Sequence, residues 1–411
     1  MRYIVCLCFI FLFGCAQTMQ SHLNNVQKNF ANADFELQDS NKNIKDKNNL
    51  DLLIDATALF HENKFKESDD AFEEFNKRNL DETSSSLSRE AAGLLFGNGI
   101  NSYKPYMMDS LFVSYYQIWD LLALHEWSNA RVVINQSYIR QQKMSREYEK
   151  LIAKNKSSII KNEELKNILD KNKNDWAAFT DIMNPALMYL SGIYFLNDGD
   201  FENAQTYLKR ANGMMPENTF IKSDLTLAQK KIKPKDTTWI FIESGYAPRL
   251  HEKDFSLFLP SIGMIYFSFS EPYFNNATPV PNNAQLLADI DKMFMTEYNE
   301  YRVNEILRSY TSAVSKATLQ ATTYNSHSNA SPWLGILSTV YTVSSSNTDV
   351  RTWATLPKNI YVIRIENNKT DLNENYLNDT IKSEIKSDNK NNLIYIRKHE
   401  KITDEKIIKL K

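Results

Sequence analysis

Hydrophobic and polar positions divide the chain into stretches of different character. Ile4 to Phe13 is an unbroken run of ten apolar residues, about half of the roughly 20 needed to cross a bilayer. Residues 16–48 are polar, with NNVQKN and DSNKNIKDKNN. Such a stretch buries too little surface to offset chain entropy, so a tether is expected, with one helical turn near Asn24–Phe35. Residues 49–235 are helical in character, and the polar stretch Ser145–Lys173 reads as an exposed helical extension. After Lys235 the pattern changes. The β-branched and aromatic run Thr238–Glu243 favours a strand, Gly245 and Pro248 turn the chain, and Phe255–Leu259 and Met264–Phe269 are further strand candidates. Leu286, Ile290, Met293, Tyr298, Ile306, Tyr310 and Val314 recur mostly at three to four, predicting one long helix from about Ala284 to Thr323. IYVIRIE predicts a strand at Ile360–Glu366, residues 367–389 are polar and loose, and Leu393–Arg397 predicts a last strand able to pair with 360–366.

Within the helical stretch, Pro185 to Asn218 resembles one tetratricopeptide repeat. Gly192 stands where the first helix packs closely, Phe195 lies a turn on, Phe201 follows the Asp-Gly turn, and Ala204, Ala211 and Pro216 complete the unit. Two antiparallel helices approach closely only where side chains are small. Earlier segments repeat its centre: Phe65 with Ser68, and Trp127 with Ala130, each pairing an aromatic with a small residue three positions later. Ser68, Ala130 and Ala204 are not spaced at a 34-residue period, so extra helices are expected in the gaps.

Cysteine occurs only at positions 6, 8 and 15. Arg2, the apolar run and Leu12-Phe13-Gly14-Cys15 together resemble a bacterial lipoprotein signal. That resemblance implies cleavage before Cys15, acylation of its sulfur and amine, and a mature chain with no free thiol. Disulfides, thiolate metal sites and cysteine nucleophiles would then be excluded. Ala16 after Cys15, rather than Asp, points to the outer membrane, facing the periplasm.

Forty-eight basic against 50 acidic residues give a net charge of −2, and Lys and Asn are scattered, which gives no reason to expect a nucleic acid partner. The length favours two folded regions. The six histidines form no HExxH and no close pair at ligand spacing. Neither a GxSxG elbow nor a P-loop occurs. Asn197-Asp198-Gly199-Asp200 lacks the later Glu of a calcium loop and sits where the repeat needs its turn. No metal, no cofactor and no catalytic residue is therefore assigned.

One constellation remains. In Asp349-Val350-Arg351-Thr352-Trp353, an Asp and an Arg two apart beside an indole could hold a carboxylate or stack on a sugar. The competing reading, which is preferred, pairs Asp349 with Arg351, buries Trp353, and uses Leu356-Pro357 to set the entry to the next strand. ESGYAPRL, ILRSYTSAVSKATLQ and TDVRTWATLPKNIYVIRIE together resemble a family of bacterial lipoproteins with tetratricopeptide-like N-terminal halves. The resemblance implies work in the cell envelope, with a hint of a link to peptidoglycan synthesis.

The expected fold is mainly α with a smaller α+β part: tetratricopeptide-like helical repeats followed by a C-terminal region of short strands and one long helix. The expected organisation is a signal peptide at 1–14, a polar tether at 15–48, a helical domain at 49–235, an α+β domain at 236–366, and a polar segment with a final strand at 367–411. The expected function is a non-catalytic outer-membrane scaffold, membrane-bound through the lipid on Cys15 and binding a protein or peptide partner in the periplasm. The alternative is an envelope enzyme or glycan-binding protein that uses Asp349, Arg351 and Trp353.

Overall fold

Three helical hairpins of one design make up much of the chain. A computed structural model describes residues 15–38, 40–80, 103–160, 183–259, 263–326, 348–367, 377–387, 390–398 and 403–410. Helix α1 spans Cys15–Ala31; the hairpins are α2 (Asn49–His61) with α3 (Phe65–Leu80), α4 (Met107–Ala123) with α5 (Trp127–Ile160), and α6 (Pro185–Asp198) with α7 (Phe201–Met214). Each turn contains one left-handed residue: Asn63 (φ 61°), His125 (φ 59°) and Gly199 (φ 87°). Two positions after each stands the aromatic that opens the second helix: Phe65, Trp127 and Phe201. In each turn the N–H just after the left-handed residue reaches back to the same kind of carbonyl: Lys64 to Leu59, Glu126 to Leu121, and Asp200 to Phe195. Such 6→1 bonds satisfy carbonyls that a helix end leaves unpaired. Asn, His and Gly are residues that tolerate positive φ at small cost.

Helix α8 (Thr219–Gln229) packs on α7 and is capped by Asn218, whose side chain accepts from the N–H groups of Phe220 and Ile221. The chain then enters a five-stranded mixed sheet of order β4-β5-β1-β6-β7. Its strands are β1 (Thr237–Ser244), β4 (Gln285–Asp289), β5 (Asn359–Glu366), β6 (Asn392–Lys398) and β7 (Thr403–Lys409). Strand alternation decides which face meets the helices. Trp239, Phe241, Val362, Leu393 and Tyr395 join the helical core, whereas Ile240, Ile242, Ile363, Ile365, Ile394 and Ile396 form a second core on the opposite face. Helix α10 (Asp379–Ser387) covers that second face with Ile381 and Ile385. Among the described residues the fold is mainly α, with ten α-helices, and has a smaller α+β part.

The first helices of the three hairpins are sandwiched between their partners and the sheet. Nearly every residue of α4 and α6 is buried. Phe60 of α2 meets Tyr395 at 4.9 Å between ring centroids, Trp119 of α4 meets Phe241 at 5.3 Å, and Tyr189 of α6 meets Phe241 at 5.9 Å. The inner face of the helical layer is thus filled by the sheet of the same chain.

A separate two-stranded ribbon, β2 (Arg249–Leu259) with β3 (Gly263–Tyr273), leaves the sheet and lies along α9 (Ile290–Ser326). Phe267, Phe269 and Ile265 pack there against Ile306, Tyr310 and Ala313.

Several expectations are corrected. The polar tether expected over 15–48 contains the 17-residue α1, with Leu23, Val26 and Phe30 buried in the main core. The polar composition concealed a sparse apolar stripe at positions 23, 26 and 30. The long helix starts at Ile290, not Ala284; the preceding residues form edge strand β4, held by Val362 and Tyr361 of β5. Leu393–Arg397 does not pair with 360–366: β6 runs parallel to β1 and antiparallel to a further strand, β7. The division at 366 fails for the same reason, because one sheet takes strands from both sides of it. The described part of 145–173 is helical, with most of residues 145–153 exposed or half-buried as expected, but it is held along one face. Tyr148 donates to Thr296 O at 2.7 Å and Asn155 to Glu300 O at 2.9 Å, which fastens α5 to α9. Within 367–389, residues 379–387 form α10 rather than a loose segment.

Candidate functional site

The segment 348–358 is a strap threaded between α1, α2 and the sheet. Asp349 and Arg351 form a two-pronged pair at its entrance, with Nε to Oδ1 and Nη2 to Oδ2 both at 2.7 Å. Trp353 is 2% exposed. Its indole N–H donates to Thr57 Oγ1 of α2 at 3.0 Å, and its ring lies 6.0 Å from those of Phe72 and Tyr116. An indole so enclosed presents no face to a sugar. Gln27 of α1 donates to Ala354 O at 3.1 Å, and the Ala247 N–H donates to Leu356 O at 2.9 Å. Leu356 and Pro357 are buried, and the Lys358 N–H then joins Ser244 O at 3.0 Å as β5 begins. These residues pin a junction of four elements.

Beneath the strap lies a charged centre that sequence reading missed. Glu243 of β1 and Arg397 of β6 have no exposed side-chain surface and meet at 2.5 Å. Oε2 of Glu243 also accepts from Tyr395 at 2.8 Å and Tyr116 at 3.0 Å. Arg397 Nη2 donates to Gly245 O and Thr355 O, at 3.1 and 3.2 Å. Burial alone raises the Glu243 carboxyl above its ordinary range; Arg397 opposes it and is itself held more firmly protonated. The available signal was positional: Glu243 alternates onto the face of Trp239 and Phe241, and Arg397 onto that of Leu393 and Tyr395. A charge at a core-facing strand position calls for a buried partner.

Two further joints have the same form. Asp224 of α8 accepts from Tyr189 at 2.6 Å, Trp239 Nε1 at 2.7 Å and Arg364 Nε at 2.8 Å, tying α8, α6, β1 and β5. His61 at the end of α2 shares 2.7 Å with Asp404 of β7, whose carboxylate also receives Lys406 at 2.8 and 2.9 Å. Burial lowers His61 to about 4, with Asp404 opposing. Between α4 and α9, Glu297 accepts the N–H groups of Met107 and Met108 at 2.6 and 3.1 Å, a carboxylate at a helix N-terminus. Burial nevertheless pushes Glu297 up to about 8 and neighbouring Asp109 up to about 7.

The predicted repeat positions lie in the hairpins. A Cβ on Gly192 would stand 2.6 Å from the Leu208 side chain. Phe195, Ala204 and Ala211 are fully buried, and Phe195 stacks on Tyr207 at 5.4 Å. Phe65, Trp127 and Phe201 are partly buried against the core, and Ala130 is buried. Ser68 is more than a small residue: it donates to Asp120 Oδ2 at 2.8 Å and lies 3.0 Å from Ala56 O. Pro216 stands exposed in the turn before α8. Cys15 is the first residue of α1, and the expected signal peptide, 1–14, lies outside the described residues.

Among the described residues no group of three or more His, Cys, Asp or Glu side chains could hold a metal ion, and no helix is long and apolar enough to cross a membrane. A cleft of about 480 Å³ opens on the outer sheet face, floored by Ile242 and Ile396, walled by Val280 and Leu377, and edged by Lys398 and Glu405. It is remote in the fold from the strap, which lies on the opposite face of the sheet. No family model, curated protein or solved structure matches the chain.

Proposed function

We propose that the chain is a lipoprotein of the cell envelope, anchored through Cys15 at the periplasmic face of the outer membrane, and that it serves as a non-catalytic scaffold for a protein partner. On this reading the three hairpins are tetratricopeptide-like, in keeping with their shared turn, aromatic and small-residue positions. The observation that carries the scaffold reading is where the chemically capable groups are used. Glu243, Arg397, Asp224, Arg364, His61, Asp404 and Trp353 each bond across separate elements, and so build one interior that joins helices to sheet.

Stacked helix pairs usually offer their concave face to ligands. Here that face is occupied by β1 and β6, so partner contact is assigned to outward surfaces. A link to peptidoglycan synthesis remains part of the proposal through the family resemblance. The test is photo-crosslinking in intact cells from probes on the outward faces of α3, α5 and α7, followed by mass spectrometry. One dominant envelope protein supports a scaffold. Turnover of a glycan or peptide substrate by the purified chain would overturn it.

A further inference from the structure

We infer that the end of the molecule formed by the tip of the β2–β3 ribbon and the C-terminal part of α9 is a lipid-contacting surface, which rests in the outer part of a bilayer. The inference builds on the anchored reading above and adds the part of the body that faces the lipid.

Charge distribution along the ribbon is the first observation. In a chain with 24% charged residues, positions 255–270 contain no Asp, Glu, Lys or Arg. Charges are confined to the ribbon's root, where Lys253 and His251 meet Glu271 at 2.8 and 3.6 Å. The second observation is what the outer face of the tip presents. Phe255, Leu257, Ile265 and Phe267 turn inward to α9, while Phe258 is 63%, Met264 48% and Tyr266 40% exposed. Phe258 and Met264 are cross-strand partners, and Tyr266 follows on the same side, so the three make one patch rather than scattered exposures. Water-facing positions of a sheet ordinarily carry polar groups.

The third observation joins a distant segment to the same end. Tyr298 donates to Ser270 O, Arg302 lies over Phe269 at 5.8 Å, and Tyr310 meets Phe267 at 6.2 Å. Helix α9 therefore runs antiparallel to β3, toward the tip. From Tyr310 it continues to Ser326, about 24 Å at the helical rise. Sequence positions 317–348 also carry no Asp, Glu, Lys or Arg, so the described helix residues 317–326 reach the tip free of those charges. The described start of this second charge-free segment thus points toward the same end as the tip, far from it in sequence.

A lipid surface matches this chemistry better than a protein partner would. Interfacial anchors are amphipathic aromatics set in a charge-free apolar body with polar groups behind them, which is the order from tip to root here. Asn24 of α1, the helix that begins at Cys15, is hydrogen-bonded to Arg249 at the ribbon's root. Cys15 precedes Asn24 by about 13 Å of helix.

The test uses the full chain with Cys6, Cys8 and Cys15 changed to Ser and one introduced thiol, Met264→Cys, carrying an environment-sensitive fluorophore. Neutral phosphatidylcholine vesicles should raise its emission roughly threefold or more, as for a group moved into the interface. Lipids bearing nitroxide groups should quench it, and 0.5 M salt should leave the response intact because no charge is involved. The same label at Ile139→Cys, on exposed α5, should not respond. Adding Phe258→Asp should return the position-264 signal to its value in water without changing the thermal melt. A position-264 probe that stays aqueous with vesicles present, responds only to envelope proteins, or loses its response in salt would overturn the inference. The assay uses no acyl chain, so it is independent of whether Cys15 is lipidated, which the processing of Cys15→Ser reads separately.

Discussion

Arg397 Nη1 donates to Glu243 Oε2 at 2.5 Å, with neither side chain exposed. The two residues are register partners in the parallel β1–β6 pair, and each also reaches an element outside the sheet, Tyr116 for Glu243 and the Thr355 carbonyl for Arg397. Removing one partner strands the other charge in a dry interior, so Arg397→Met should cost about 3–5 kcal/mol. Glu243→Leu combined with Arg397→Met removes both charges and should be less destabilised than Arg397→Met alone. Denaturant unfolding of the wild type and the two variants checks this; a double variant weaker than the single would mean that the pair contributes net stability.

What could be read from the sequence divides by range. Local signals were legible: the β-branched run that became β1, the Asp-Gly turn that became the left-handed Gly199, and the long apolar period of α9. The Asp349–Arg351 pair is also local, two residues apart. Pairings between distant segments were not legible. Nothing in LIYIR indicates that it lies beside TTWIFIE in parallel rather than beside IYVIRIE. The apolar stripe of α1 is thin because its helix buries only a narrow face, so composition read it as tether. The charged centre needed a tertiary partner to become visible, although core-facing Glu243 and Arg397 marked where to look.

Trp353 should behave as a structural pin. Trp353→Ala removes a buried ring and its bond to Thr57, and should cost about 3–5 kcal/mol. Arg351→Ala should cost less than about 1 kcal/mol, because the Asp349 side chain it leaves behind is 34% exposed and water can replace the pair. Thermal melts beside pull-downs on peptidoglycan check both. A stable Trp353→Ala chain that no longer retains a glycan would return the strap to the binding reading.

The α6–α7 contact leaves no room for growth. Ala204 is fully buried, so Ala204→Leu should overpack it by about 1–3 kcal/mol. Gly192→Ala is smaller but forces the Leu208 side chain to move, since the new Cβ would lie 2.6 Å from it. A melt of Ala204→Leu within a degree of the parent would show that position 204 has space the packing does not reveal.

Cys15→Ser should abolish both acylation and cleavage, and the chain should then migrate at its full precursor mass. One acyl chain binds a membrane only marginally, and stable anchoring takes more, so partial modification should leave the chain extractable by high pH. Processing of the Ser variant to the wild-type mature mass would end the lipoprotein reading.

The pH dependence has two opposing sources. Burial lowers His61 from 6.5 to about 4, so the unfolded chain binds its proton first and acidification from 6.5 toward 4 destabilises the fold. Burial raises Glu305 and Asp109 to about 7 and Glu297 to about 8. For these the folded chain holds the proton longer, so their contribution is full below the unfolded value and is lost as pH rises through 7 to 8. Above pH 6.5 His61 is neutral in the fold and the unfolded chain loses its remaining His61 proton by about pH 7.5, so the three raised carboxyls outweigh it across the window. Stability should therefore fall between pH 6.5 and 8.5. Glu305 accepts from Ser270 N at 3.1 Å and Ser270 Oγ at 2.6 Å. A glutamine there can keep both contacts, because its carbonyl accepts the N–H and its amide donates to the hydroxyl oxygen. Glu305→Gln cannot ionise, so its melting temperature should fall less across that window than the wild type's. An unchanged slope would mean that Glu305 is already ionised at pH 6.5 and that the decline belongs to Asp109 and Glu297.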